Sequence, residues 1–303
     1  MKTPWWFMYK TPLALMLMPV SWIYYGVASI VKRVRAIGAY TPRRPVVCVG
    51  NILAGGVGKT PIVRAIAEFL DAPVVMRGYK KSDKTAGIGD EALMLSRYGL
   101  TLHTGDRKSN VVLLDKQSDN TPIVMDDGLQ NPRVKKTVSI MVFDEGIGYG
   151  NSLMLPAGPL REPRRAAARA DAIIIVKSAR PRRKFQLPDG VPVFYATAAT
   201  KNPYPAGTPL VAFAGIGYPK KFFNSLPDVV ASRAFGDHYQ YTDDDLKALT
   251  ALARKKGAQL ITTEKDWVRL PAAAQAHIKY APLSMVIEGG FYKWLTEKLK
   301  CQK

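Results

Sequence analysis

The chain has 303 residues, 47% hydrophobic and 22% charged, enough apolar material for a proper core in one large domain or two smaller ones. Two cysteines, Cys48 inside an apolar run and Cys301 near the C-terminus, exclude a disulfide framework and point to a reducing compartment. The formal charge of +20, from 44 Lys+Arg against 24 Asp+Glu, favours an anionic partner: nucleic acid, acidic membrane or phosphorylated substrate.

Residues 11–31 carry no charge, and Trp5, Trp6, Trp22, Tyr24 and Tyr25 lie in or near them. A bilayer span needs about 20 apolar residues, so the stretch just qualifies by length. Pro19 and the scattered Ser, Thr and Tyr fit a segment lying in the interface equally well. Lys32, Arg33 and Arg35 follow immediately and should stay on the cytoplasmic side beside anionic headgroups. A buried core helix is the plainer alternative.

From residue 45 short β-rich runs alternate with helical stretches. Strands are expected at 46–49, 73–76, 122–125, 138–143 and 172–176, with an amphipathic helix over 61–70. Near-continuous apolar strands interleaved with helices predict a parallel sheet covered on both faces. The Pro- and Arg-rich stretch 179–193 ends this alternation. Further strands are expected at 193–198, 210–217, 259–263 and 284–289, with a helix over 243–257. The division is therefore a hydrophobic segment over 1–38, a P-loop domain over 39–185 and a smaller α/β domain over 186–303, jointed near 180–205.

The segment after the first strand reads 49-VGNILAGGVGKTP-61. A strand that delivers a glycine-rich turn to a helix N-terminus surrounds a polyphosphate with backbone N–H groups. Lysine then reaches the terminal phosphates, and the Ser/Thr hydroxyl holds Mg²⁺. Leu53 stands where the general pattern begins with glycine, but Gly55, Gly56 and Gly58 keep the backbone open. Such a site needs an acidic metal partner at the end of a neighbouring strand, and Asp126 and Asp127 follow the 122–125 run. A bare Asp-Asp-Gly also reads as a turn. Asp90 and Glu91 read from pattern alone as a helix cap and first-turn acid, and His238 as an ordinary histidine.

These motifs come in a longer series: 77-RGY-79, 89-GDEA-92, 105-GDR-107, 126-DDGLQ-130, 155-LPAGPLREP-163, 171-DAIII-175, 214-AGIGYPKKFF-223, 236-GDHYQYTDDD-245 and 262-TTEKDWVRL-270. In these, and in their order along nearly the whole chain, the sequence resembles the tetraacyldisaccharide 4′-kinase family of Gram-negative bacteria, whose phosphate loop also carries a non-glycine at the Leu53 position. The resemblance implies a P-loop domain and a smaller C-terminal α/β domain, with the site in the cleft between them. It also implies an N-terminal helix on the cytoplasmic face of the inner membrane. The activity implied is transfer of the γ-phosphate of ATP to the 4′-hydroxyl of a tetraacyldisaccharide 1-phosphate lipid.

By the same resemblance, Leu53, Ala54, Gly55, Gly56, Val57, Gly58, Lys59 and Thr60 form the nucleotide loop, with Lys59 on the β/γ oxygens. Thr60, Asp126 and Asp127 hold Mg²⁺. Asp90 takes the sugar hydroxyl proton with His238 assisting, and Glu91, Arg107, Arg161 and Glu162 lie near metal, nucleotide or substrate phosphate. Tyr239 stands where a second histidine is frequent, Ala92 where proline is, and Lys80 and Lys81 where glycine and arginine are.

Two other classes fit parts of the chain. A nucleic-acid-dependent P-loop ATPase would use the +20 charge, but has no use for the uncharged N-terminal run and lacks a recognisable nucleic-acid motif. A non-catalytic membrane nucleotide sensor would bind ATP without turnover. The lipid kinase, with no nucleic acid and no obligate protein partner, accounts for more of the chain.

Overall fold

The computed structural model describes residues 4–55, 57–77, 90–178, 185–237 and 239–301. It divides into two compact units, Pro4–Thr197 with Met285 onward, and Ala198–Ser284.

At the N-terminus the uncharged run is broken in two: α1 (Pro12–Met16), then α2 (Met18–Ala36). Pro19 falls in the first turn of α2, where its missing N–H costs nothing, so it starts a helix instead of interrupting one. No described helix is long and apolar enough to cross a membrane. The expected spanning length is lost to the break at Leu17 and to the cations at the end of α2. Within α2 only Ser21 is buried, while Trp22 (62% exposed), Ile23 (69%), Ile30 and Val34 face outward. The Ser21 hydroxyl donates to the Met154 carbonyl (3.0 Å) and accepts from the Ala157 N–H (3.2 Å), and the Trp6 indole donates to the Pro156 carbonyl (3.3 Å). The N-terminal segment is thereby fastened to the 154–157 loop.

In the larger unit come β1 (Val46–Gly50), α3 (Lys59–Leu70), β2 (Val74–Met76), α4 (Asp90–Ser96), β3 (Leu102–Thr104), α5 (Arg107–Asp115), β4 (Ile123–Asp126), β5 (Val138–Asp144), β6 (Ala172–Val176) and β7 (Val193–Thr200). Together with β12 (Leu283–Ile287) they form an eight-stranded sheet ordered β12-β7-β6-β5-β1-β4-β2-β3. β1 to β7 pair in parallel throughout. Strands β1, β4 and β6 at the centre of the sheet are buried along their whole length, presenting mainly apolar side chains to both faces. One face packs Val46, Cys48, Val75, Ile123 and Met125 against Val111 and Leu114 of α5. The connection from β1 runs to one side and that from β4 to the other. These adjacent strands therefore open at their C-terminal ends, where ligands of such sheets bind.

The smaller unit contains β8 (Leu210–Ala214), α6 (Pro219–Phe223), β9 (Val229–Ala234), α7 (Asp243–Lys255), β10 (Gln259–Thr263), α8 (Glu264–Trp267), α9 (Ala272–Gln275) and β11 (Lys279–Ala281). Its parallel sheet is ordered β11-β10-β8-β9. Alternate residues of β8 feed two cores, Val211 and Phe213 on one face, Leu210, Ala212 and Ala214 on the other. Beyond β10 the fully buried Asp266 accepts from the Gly215 N–H (3.0 Å) and the Thr263 hydroxyl (2.6 Å) and pairs with Arg269 (3.3 Å).

The division differs from 39–185 and 186–303. The boundary lies at 197/198, and α10 (Gly289–Lys300) returns to the larger unit. Its apolar face explains the return. Phe291, Leu295 and Leu299 are buried, Phe291 meets Phe194 of β7 edge-on, and the Tyr292 ring lies tilted against Phe69 of α3 at 4.6 Å.

Candidate active site

β1 delivers the chain to Gly50, where a Cβ would come within 2.7 Å of Leu129, so only glycine fits. The next residues are not a loose loop. Asn51, Ile52 and Leu53 are buried, Leu53 bridges Leu160 antiparallel, the Ala54 N–H donates to the Pro159 carbonyl (2.7 Å), and the Arg161 N–H donates to the Ile52 carbonyl (2.7 Å). Leu53, 1% exposed, is a core side chain in extended backbone, and this is why a glycine is not needed there.

Further on, Gly55 (φ +121°) and Gly58 (φ +80°) take conformations that L side chains rarely adopt. Gly56 lies outside the described residues. Gly58 is the N-cap of α3, and no side chain caps that helix. Val57 is buried and Thr60 lies in the first helical turn, and the open amides and dipole at the start of α3 suit an anion.

Lys59 is held by neighbouring acceptors. Its Nζ donates to Asn51 Oδ1 (3.2 Å) and pairs with Asp127 Oδ1 at 3.5 Å. Asp127 also accepts from Arg161 Nη1 (2.9 Å). Asp127 has φ +49°, tolerable for aspartate, and its N–H donates to the Val49 carbonyl (2.8 Å). Gly128 leaves no room for a Cβ against Met125 and Cys48. The Asp-Asp-Gly is thus both a turn and a carboxylate pair: the turn aims Asp127 at Lys59.

Asp126, in register with Val49, is 4% exposed, and its Oδ1 has no hydrogen-bond partner among the described residues. Burial, with the Glu91 carboxylate adding to it, pushes its pKa up to about 7. Burial acts upward on Asp127 as well, but Lys59 and Arg161 outweigh it and hold that carboxyl below the ordinary value. Two adjacent carboxyls with opposed shifts, one of them with an oxygen that no described group meets, make this a candidate functional locus. Arg107, first residue of α5, donates twice to the Asp126 carbonyl (3.1 and 2.8 Å) and fixes the end of β4. The donor set of Asp126, Asp127 and Thr60 suits Mg²⁺, which takes one or two carboxylates and leaves other positions to water and phosphate.

Glu162, expected near metal, nucleotide or substrate phosphate, is surrounded by donors. It accepts from Lys32 (2.7 Å), Arg169 (2.8 Å) and Gln130 (3.2 Å). Burial acts upward on its carboxyl, and Lys32 and Arg169 hold it below the ordinary value. Asp90 opens α4, its side chain outside the described residues, and Glu91 lies half-buried in the same turn. His238 is outside the described residues. Tyr239 next to it donates to Asp245 (3.0 Å), the residue that closes the capping box of α7. Asn51 and Gln130, not singled out above, touch the site directly: Asn51 holds Lys59, and Gln130 donates to the Asn51 carbonyl (2.8 Å). Both lie inside motifs quoted above, which was the available signal.

The family model for tetraacyldisaccharide-1-P 4′-kinase matches residues 13–300. A tetraacyldisaccharide 4′-kinase of Methylobacterium nodulans is 41% identical over 89% of this chain and 87% of its own. The kinase of the same name from Maricaulis maris is 37% identical over 89% and 86%. The fold is that of the "apo" form of LpxK from Aquifex aeolicus, crystallised in complex with ATP: TM-score 0.72, 22% identity, covering 95% of this chain and 99% of that one. The chain belongs to the tetraacyldisaccharide 4′-kinase family.

Proposed function

We propose that this chain transfers the γ-phosphate of ATP to the 4′-hydroxyl of a tetraacyldisaccharide 1-phosphate, a step of lipid A synthesis. The observation that carries this reading is the family match across residues 13–300, with the phosphate loop and its acidic strand end intact.

In this reading the α3 amides and Lys59 take the β- and γ-phosphates, the lysine exchanging Asn51 and Asp127 for phosphate oxygens. Arg161, placed on Asp127, turns to the same charge. Thr60, Asp126 and Asp127 would hold Mg²⁺, which when bound neutralises charge on the β- and γ-oxygens. Asp90, with His238 assisting, accepts the proton of the 4′-hydroxyl as its oxygen bonds to phosphorus and the bond to ADP breaks. Positioning and charge neutralisation supply most of the acceleration in such reactions.

The outward apolar face of α1 and α2, followed by Lys32, Arg33 and Arg35, suits a helix lying on an anionic membrane surface, here the cytoplasmic face of the inner membrane. Purified chain in detergent with Mg-ATP should phosphorylate the disaccharide lipid. Labelling of a different acceptor while that lipid stays unmodified would sink the assignment.

A further inference from the structure

The helix that faces outward at the N-terminus is connected to the phosphate loop by an unbroken series of hydrogen bonds. Lys32 Nζ of α2 donates to Glu162 Oε1 at 2.7 Å. Glu162 Oε2 accepts from Gln130 at 3.2 Å, and the same amide donates to the Asn51 carbonyl at 2.8 Å. Asn51 in turn accepts from Lys59 Nζ at 3.2 Å. Each group is specified by its chemistry. The half-buried Glu162 carboxylate needs a cation, the Gln130 amide offers two donors and finds two acceptors, and the Asn51 carbonyl lies where the loop leaves β1.

We propose that Lys32 is a positioning residue for the nucleotide loop. Through Glu162 and Gln130 it fixes the Asn51 backbone, and with it the side chain that holds Lys59 ready for phosphate. Arg169, the other cation on Glu162, is more exposed, so it is a weaker substitute for Lys32 in the series. Helix α2 then contributes to nucleotide binding as well as facing lipid, a consequence that rests on the kinase reading above.

The test uses the full chain in detergent with Mg²⁺ and a fluorescent ATP analogue, so that nucleotide affinity is read without the lipid. Lys32→Met should weaken binding about fivefold or more, the low end of ordinary site-to-site coupling. Lys32→Arg should restore it, Lys247→Met as an exposed charge-loss control should leave it unchanged, and KM for the lipid should stay at the wild-type value. Lys32→Met combined with Glu162→Gln should bind no more weakly than the worse single variant, because both cut one series. Sedimentation with phosphatidylglycerol vesicles should be retained, since Arg33 and Arg35 remain. Wild-type affinity in Lys32→Met, or additive losses in the double variant, would overturn the proposal. Failure of the wild-type chain to bind the analogue would instead defeat the kinase reading itself.

Discussion

Two buried aspartates lie just at or beyond the C-terminal end of a parallel strand, one in each unit, and their surroundings are opposite. Asp266, 0% exposed, has a backbone N–H, a hydroxyl and a guanidinium around its two oxygens. Asp126, also buried, has one oxygen with no partner among the described residues and a second carboxylate, Glu91, acting against its ionisation. A satisfied buried ion holds structure together, whereas an unsatisfied one destabilises the empty protein and persists where it has another task. Removing the carboxylate should therefore have opposite consequences for stability at the two positions.

The largest effect is expected at Asp266. Asp266→Ala removes the buried carboxylate that pairs with Arg269 and accepts from the Gly215 N–H, and should lower unfolding stability by about 3–5 kcal/mol, measured by urea titration. Next, Lys59→Ala should cut lipid phosphorylation about 100- to 1,000-fold, the cost of losing one charge-stabilising donor. Its urea midpoint should stay near wild type, because Arg161 still pairs with Asp127. Leu53→Gly, which restores the general loop pattern, should cost about 3 kcal/mol of stability instead of improving nucleotide binding, since it empties a core position.

The smallest effect is the most diagnostic. Asp126→Asn removes an ionisable group whose folded pKa, about 7, lies above the ordinary carboxylate value. Folded protein keeps that proton where unfolded protein has lost it, so the group's contribution to stability falls as pH rises from about 4 to about 7. The variant should lack that fall. Without Mg²⁺ or nucleotide it should match or exceed wild-type stability above about pH 7, by about 1–2 kcal/mol. A fall in stability like that of Asp266→Ala would erase the contrast between the two sites.

Central strands were legible in the sequence because burial on both faces writes an uninterrupted apolar run: 46–49, 138–143 and 172–176 lie within β1, β5 and β6. The strands not anticipated, β3, β9 and β11, are all sheet edges. β3 and β11 are three residues long and β9 is largely exposed, so no such run forms. The glycine turn that opens α3 was legible from Gly58, Lys59 and Thr60. The use of Leu53 was not, because its partner Leu160 is more than a hundred residues away. Asp126 and Asp127 were equivalent as letters, and only depth and neighbours separate them into an acid raised by burial and one held down by its cations. The return of α10 to the larger unit depends on Phe69 and Phe194, long-range contacts that periodicity does not encode.

The most direct measurement is phosphate transfer from γ-labelled ATP to tetraacyldisaccharide 1-phosphate by the Asp126→Asn chain, normalised to folded protein. A metal-nucleotide site at Asp126 predicts that transfer is lost from a chain that remains fully folded. Transfer at the wild-type rate, or a loss that merely follows the folded fraction, would contradict it.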